Sequence, residues 1–251
     1  MRSYRLKIAR RTTYTENIFG LEFKYGGIKP WPGQFFHVRV DEGVELFLNR
    51  PISVASYKRG HLLLVVKIVG RGTKVLSMKK AGDYLTLFGP FGRRFRPVHK
   101  KSLIIAGGIG IAPLHFLAEY MAGCNIDFDV LYGVRNKDEF IFRSDLKRMA
   151  SRVTFVAERG YKDKETVVAR IRRMDLNDFS VGYACGPREM LMALQELNLP
   201  ITTYAFCEDF MGCGCGLCLG CAIMHKGVYR RICVDGPVLN LGDIDFEVQN
   251  L

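Results

Sequence analysis

The alternation of hydrophobic and polar positions changes character once along the chain. Tyr4-Arg5-Leu6-Lys7-Ile8 and Gln34-Phe35-Phe36-His37-Val38-Arg39-Val40 run with period two, as strands with one buried face do. His61 to Val69 is a longer, β-branched apolar run, the pattern of a strand covered on both faces. Gly26-Gly27, Pro30, Pro32-Gly33, Gly70-Arg71-Gly72 and Gly89-Pro90 punctuate these runs. Short strands at intervals predict a small antiparallel β-barrel over residues 1–98, interrupted by one helix near 73–80.

From Lys101 the period changes. Apolar runs at 102–106, 128–132, 153–157 and 181–185 alternate with helical patterns at 113–122, 140–150, 166–173 and 187–197. This order predicts a parallel sheet with helices on both faces, over residues 99–200. Beyond Leu199-Pro200 the chain is rich in glycine and cysteine with little periodicity, so residues 201–251 are expected to form a small lobe held by a metal. The predicted fold class is therefore β plus α/β, in three units. The longest apolar run, 103–118, is broken by Gly107, Gly108, Gly110, Pro113 and His115. It falls short of the roughly 20 residues a bilayer requires, and no membrane span is expected. The amino terminus is charged without an apolar stretch, so no export signal is expected either.

Composition narrows the function. With 48% hydrophobic residues and no low-complexity stretch, the 251-residue chain is not intrinsically disordered. Lys and Arg outnumber Asp and Glu by 37 to 25, but clusters such as Lys79-Lys80, Arg93-Arg94-Phe95-Arg96 and Arg230-Arg231 accompany no nucleic-acid motif. A surface matched to anionic cofactors or an acidic partner is expected, and no nucleic-acid partner. Of the 8 cysteines, Cys124 and Cys185 stand apart while the other six lie between residues 207 and 233. Crowding at one end of a long chain points to metal or redox chemistry in a reducing compartment, taken as the cytoplasm.

Cys213, Cys218, Cys221 and Cys233 give C-x4-C-x2-C-x11-C, whose first three members match the plant-type [2Fe–2S] spacing. Two other registers stay open. Cys215, Cys218 and Cys221 form the start of a bacterial [4Fe–4S] run, although His225 and no Cys-Pro follows, and four thiolates also suit tetrahedral zinc. Cys207 and Cys215 are left over and read as small buried residues. Gly107-Gly108-Ile109-Gly110 joins a strand to a helix, the context of a phosphate-binding turn; the same spacing also fits a tight turn with no ligand. No acidic residue follows the second strand, where Arg135 and Lys137 stand instead. Cys185-Gly186-Pro187 closes the fourth strand at the sheet's carboxyl edge, where open α/β folds take ligands. In the barrel, Arg50-Pro51-Ile52-Ser53 pairs a diphosphate-capable guanidinium with a hydroxyl donor, and Gly70-Arg71-Gly72-Thr73 opens a helix. The five histidines are scattered and read as structural, their ring nitrogens satisfied. No catalytic triad or zinc-protease motif is present.

In this order, RPIS, GRGT, GGIGIAP, CGP and the cysteine run followed by Asp235-Gly236-Pro237 resemble the ferredoxin–NADP reductase superfamily. More narrowly they are similar to electron-transfer subunits of NAD-dependent dihydroorotate dehydrogenases. The resemblance spans nearly the whole chain and implies an FAD-binding barrel, an NAD-binding sheet and a carboxy-terminal [2Fe–2S] lobe. It places Arg50, Pro51, Ile52, Ser53, Val65, Val66, Lys67, Gly72 and Thr73 at FAD. It places Gly107, Gly108, Gly110, Cys185, Gly186 and Pro187 at the nicotinamide nucleotide, and Cys213, Cys218, Cys221 and Cys233 on the cluster. Asp235-Gly236-Pro237 would return the chain beside the flavin. It also implies that NADH electrons pass through FAD and the cluster to an FMN-containing catalytic subunit in a hetero-oligomer, which oxidises dihydroorotate in pyrimidine biosynthesis. The chain departs from the family pattern at Gly92-Arg93-Arg94-Phe95, where G-N-G-F is usual, and at Glu158-Arg159-Gly160-Tyr161-Lys162, which lacks an acidic D-G-S. NADP(H), and a related ferredoxin, sulfide or hydrogenase-type reductase, remain open as alternatives. A zinc-stapled nucleic-acid module is the distant one.

Overall fold

The structure, a computed structural model, describes residues 2–40, 48–161 and 164–247; Lys162 of the departing loop lies outside them. Strands β1 (Ser3–Thr13), β2 (Ile18–Lys24), β3 (Phe35–Val38), β4 (Arg50–Lys58), β5 (His61–Lys67) and β6 (Tyr84–Phe91) close into a barrel in the order β1-β2-β5-β4-β3-β6. Every pair is antiparallel. Alternate residues such as Phe19, Leu21, Phe23, Phe36, Val38, Leu62 and Leu64 fill its interior. Helix α1 (Arg71–Ser77) begins earlier than the sequence pattern predicts. Thr73 explains the early start: its Oγ1 accepts the backbone N–H groups of Val69 and Gly70, which folds the glycine turn onto the first helical turn.

The second layer system holds β7 (Ser102–Gly107), α2 (Ile111–Gly123), β8 (Phe128–Asn136), α3 (Arg143–Met149), β9 (Arg152–Arg159), α4 (Val167–Ile171), β10 (Val181–Cys185), α5 (Arg188–Glu196) and β11 (Thr202–Phe206). These strands pair in parallel in the order β11-β10-β7-β8-β9. Side chains alternate between faces. Leu103, Ile105 and Leu131 pack with Val167 and Ile171 of α4 and Leu191 and Leu194 of α5, while Ile104, Ala106, Val130 and Tyr132 pack with α2 and α3. Both faces are covered, as the strand–helix alternation requires.

The chain past Leu199 is more ordered than its weak periodicity suggests. Thr202–Phe206 is the fifth parallel strand, built from Thr, Tyr and Phe, residues that favour strands without marking a face. After it come the hairpin β12 (Ala222–His225) and β13 (Val228–Arg231), then β14 (Val238–Asn240) and the short β15 (Ile244–Asp245). Strand β14 adds to β11 as an antiparallel edge, so the lobe lends a strand to the sheet. No helix among the described residues is long and apolar enough to cross a membrane.

Helix α2 fixes the barrel to the sheet. His115 Nδ1 lies 2.8 Å from the Ala55 carbonyl oxygen of β4, and Glu119 accepts from Ser56 Oγ at 2.7 Å and pairs with Lys58 Nζ at 2.7 Å. The other face of the His115 ring stacks on Phe142, and Asp145 stands 3.7 Å from Nε2. The His115 ring, helped by Arg148 and opposed by burial, holds the Asp145 carboxyl down to about 2. The ionised form of Asp145 is thus favoured by folding, a contribution present above the unfolded-state pKa near 4 and lost as pH falls toward 2. Asp145→Asn is predicted to flatten the loss of stability between pH 4 and 2, measured by urea unfolding at stepped pH. An unchanged acid limb would refute the assignment.

Candidate functional site

Three segments far apart in sequence meet where the barrel, the sheet and the lobe join. On the barrel side, β4 pairs with β5 only from the Val54–Leu64 register onward. Arg50, Pro51, Ile52 and Ser53 lie before that pair, and Val65, Val66 and Lys67 after it, so the two strands diverge over these residues. The opened edge of β4 leaves all four of its residues half-buried. At its end the Arg50 guanidinium lies against α1, where a Cβ at Gly72 would fall 2.4 Å from Arg50 Nε. Only glycine admits that approach. The Thr73 hydroxyl, by contrast, is engaged within its own turn, also donating to the Gly70 carbonyl at 3.0 Å.

On the sheet side, the glycine turn and Cys185-Gly186-Pro187 are packed backbone to backbone. A Cβ at Gly110 would lie 2.4 Å from the Cys185 carbonyl oxygen, and one at Gly107 would lie 3.0 Å from Pro187 Cδ. A cleft of about 570 Å³ opens over them, bounded by Gly108, Pro187, Arg135 and Glu158, with Lys67 reaching in from the barrel. The sheet supplies the open carboxyl edge at which such folds take nucleotides. The expected lack of a carboxylate after the second strand does not hold: Glu139, just past β8, lines the cleft, and so does Glu158 at the end of β9.

Glu208 joins the two sides, and sequence reasoning missed it. Ser53 Oγ approaches Glu208 Oε1 at 3.4 Å. Water reaches the Glu208 side chain, yet protein crowds its carboxyl and pushes its pKa up, an effect that Ser53 partly offsets. Burial, followed by the field of Glu208, pushes the thiols of Cys185 and Cys207 up, Cys207 to about 12. Both read as inert buried cysteines, in accord with the expectation for Cys207.

The lobe is sewn to this junction by backbone hydrogen bonds. Gly92 N–H donates to the Cys233 carbonyl at 3.1 Å, Arg93 N–H to Gly236 at 2.6 Å, and Cys207 N–H to Pro237 at 2.8 Å. Within the lobe, Cys213 Sγ accepts backbone N–H groups of Cys215 and Cys218, each at 3.4 Å. Burial pushes the Cys213 thiol up, but the Cys218 and Cys215 amides outweigh it and hold the thiol at about 6. Cys233 is pushed up to about 12 by burial and then by its contact with Cys221, so a metal would have to displace its proton. Cys215 is exposed, contrary to the expectation of a buried residue, and contributes its amide to the loop.

The four spaced cysteines offer an all-thiolate donor set. Among the described residues, no three His, Cys, Asp or Glu side chains are grouped so as to hold a single metal ion. The thiols instead meet in two groups, Cys213 with Cys218 and Cys215, and Cys221 with Cys233. Two groups that include the four spaced cysteines fit two irons that each take two thiolates.

Residues 208–245 match the profile of the iron–sulfur cluster binding domain of dihydroorotate dehydrogenase B, and residues 104–196 that of the oxidoreductase NAD-binding domain. The chain is 37% identical over 221 residues to the dihydroorotate dehydrogenase B (NAD(+)) electron transfer subunit of Desulforamulus reducens, covering 82% of this chain and 84% of the relative. The subunit of the same name from Caldanaerobacter subterraneus is 34% identical, covering 88% and 90%. In structure, a chain of the NADH-dependent reduced ferredoxin-NADP oxidoreductase is similar with TM-score 0.88 and 25% identity, covering 98% of this chain and 91% of that one. The ferredoxin NADP+ reductase of Neisseria gonorrhoeae shares the fold at TM-score 0.65 and 17% identity, covering 83% and 95%.

The contact at Gly110 generates a prediction. Its added Cβ would strike backbone, which cannot swing aside. Gly110→Ala should therefore raise the NADH KM at least about tenfold, with flavin content retained because the barrel is untouched. Steady-state kinetics alongside the flavin spectrum checks this, and an unchanged KM would refute it.

Proposed function

Because the chain belongs to the family of electron-transfer subunits of dihydroorotate dehydrogenase B, we propose that it moves electrons between NADH and a dihydroorotate-oxidising catalytic subunit. FAD and a [2Fe–2S] cluster, when bound, supply the conversion between a two-electron hydride and single electrons. The protein's part is to bind and orient them. Arg50 offers its guanidinium to the flavin nucleotide's diphosphate, and the half-buried edge from Pro51 to Ser53, with Val65 to Lys67 opposite, receives the rest. Gly72 keeps the Arg50 approach clear. Gly107 and Gly108 line the cleft and let a dinucleotide come close to the main chain, with Pro187 as the wall beside them, while Gly110 seats this turn on the Cys185-Gly186 backbone. Cys213, Cys218, Cys221 and Cys233 take the irons. Ser53 and Glu208 stand where the barrel meets the nucleotide side and can hold a proton between them.

The observation that carries this reading is the convergence itself. The diverging β4 edge, the glycine cleft and the grouped thiols adjoin one junction, as a relay requires. Proteins of this kind need no general base of their own, and the cleft presents no catalytic triad.

The partner is an FMN-containing subunit in a hetero-oligomer, and the setting is the cytoplasm. Support comes from the lobe's surface, where Phe210 and Leu217 are 91% and 84% exposed on either side of Cys213 and Cys215. Large apolar side chains beside a redox centre favour burial against another protein. A second reading, an NAD(P)H:ferredoxin-type reductase subunit, is favoured by the 0.88 TM-score to the ferredoxin-linked oxidoreductase and by Arg135 in the cleft. Glu158 in the same cleft argues for NADH, since a carboxylate repels the 2′-phosphate of NADPH.

Anaerobically purified protein should contain flavin and about two irons per chain, and NADH should reduce it faster than NADPH. Zinc without iron or flavin would overturn the reading, and a strong NADPH preference would favour the second one. Coexpression with a dihydroorotate dehydrogenase catalytic subunit should yield one complex on gel filtration.

A further inference from the structure

Strand β3 places its side chains alternately on two sides. Phe36 and Val38 enter the barrel interior, while Phe35 packs in the core that contains Cys221 and Cys233. His37 shares the Phe35 side. It pairs opposite Pro51 on one neighbouring strand and Phe88 on the other, so it stands directly beside the Arg50–Ser53 edge. Its surroundings are apolar and aromatic, with Phe35 at 5.8 Å and Phe91 at 5.3 Å between ring centroids.

An imidazole is a poor choice for such a place. His37 is 1% exposed, and its Nε2 is buried with no hydrogen-bond partner. This departs from the expectation that the histidines are satisfied structural residues. Leaving a polar nitrogen unpaired costs about 1–3 kcal/mol, and a Phe or Leu would fill the space without that penalty. The ring's neighbour supplies the reason. Gly214, between Cys213 and Cys215, lies so close that a Cβ there would fall 2.9 Å from His37 Nε2, and its φ of +69° is itself one that glycine tolerates best. The unpaired nitrogen thus lies at the bend of the cysteine loop, beside Gly214, where no side chain intervenes.

We infer that His37 is a positioning residue for the iron–sulfur centre: its Nε2 donates a hydrogen bond to a sulfur of the cluster or of its Cys213 ligand, fixing the cysteine loop to the strand beside the flavin edge. The inference rests on the reading of the lobe as a [2Fe–2S] site. Hydrogen bonds to the sulfurs stabilise the reduced, more negative state and so raise the reduction potential. Donor loss should shift the one-electron equilibrium about tenfold, equivalent to about 59 mV.

The test compares His37→Phe and His37→Gln in the intact, flavin-loaded protein. Phe keeps the flat ring and removes the donor; Gln returns an N–H near Nε2. EPR-monitored redox titration should show the His37→Phe cluster about tenfold harder to reduce, with altered g-values, and His37→Gln partly restored. Iron and sulfide content should match the parent protein. Equal potentials and g-values in an iron-replete His37→Phe would overturn the role of His37 while leaving the cluster standing. A parent protein without iron would instead overturn the cluster and the inference together. If His37→Phe fails to retain iron, His37→Gln decides: a spectrum and potential equal to the parent support the donor, and loss of iron in both refutes it in favour of packing alone.

Discussion

The seam between the cysteine lobe and the barrel is the constraint on which the remaining arrangement depends. It is made of backbone hydrogen bonds from Gly92 to Cys233 and from Arg93 to Gly236, and of the shared core around Phe35, Cys221 and Cys233. A lobe with so much glycine and so short a set of strands buries little apolar surface of its own. It borrows order by lending β14 to the sheet and by resting its cysteine loop on β3. Electron transfer between bound groups depends on distance and fixed orientation, and a lobe free to swing would supply neither.

Close approach is the common device at the other contacts. Arg50 reaches α1 because Gly72 has no side chain, and the glycine turn lies on the Cys185 carbonyl because Gly110 has none. The strands β4 and β5 diverge just where β4 carries the half-buried Arg50, Pro51, Ile52 and Ser53, leaving an edge that a planar cofactor can complete. These features place binding surfaces next to one another without demanding any acid–base residue, as chemistry carried by cofactors allows.

Much of this was legible in the sequence, for reasons that can be named. The change from period two to alternating strand and helix patterns reports burial directly, so the barrel and the sheet could be read. The ligand spacing was legible because thiolate chemistry requires cysteine and nothing else will serve. Thr202–Phe206 and Val238–Asn240 were not, because short strands of Thr, Tyr and Asn carry little facial pattern. Glu208 could not be found either: its partner Ser53 is distant in sequence, and an acidic residue among cysteines has no distinguishing spacing. The turn-closing role of the Thr73 hydroxyl was not legible either, because it depends on how the glycines before it fold back. His37 sits within an alternating strand, where only the packed structure reveals a polar residue on a buried face.

On this reading one chain holds the flavin edge and the cluster thiols close enough to share electrons without help. Rapid mixing of the isolated, cofactor-loaded chain with NADH, freezing at intervals and recording the iron–sulfur EPR signal, tests this most directly. The reduced-cluster signal is expected to rise as the flavin absorbance changes, in the absence of any other protein. Flavin reduction with a cluster that stays oxidised until a catalytic subunit is added would contradict the account.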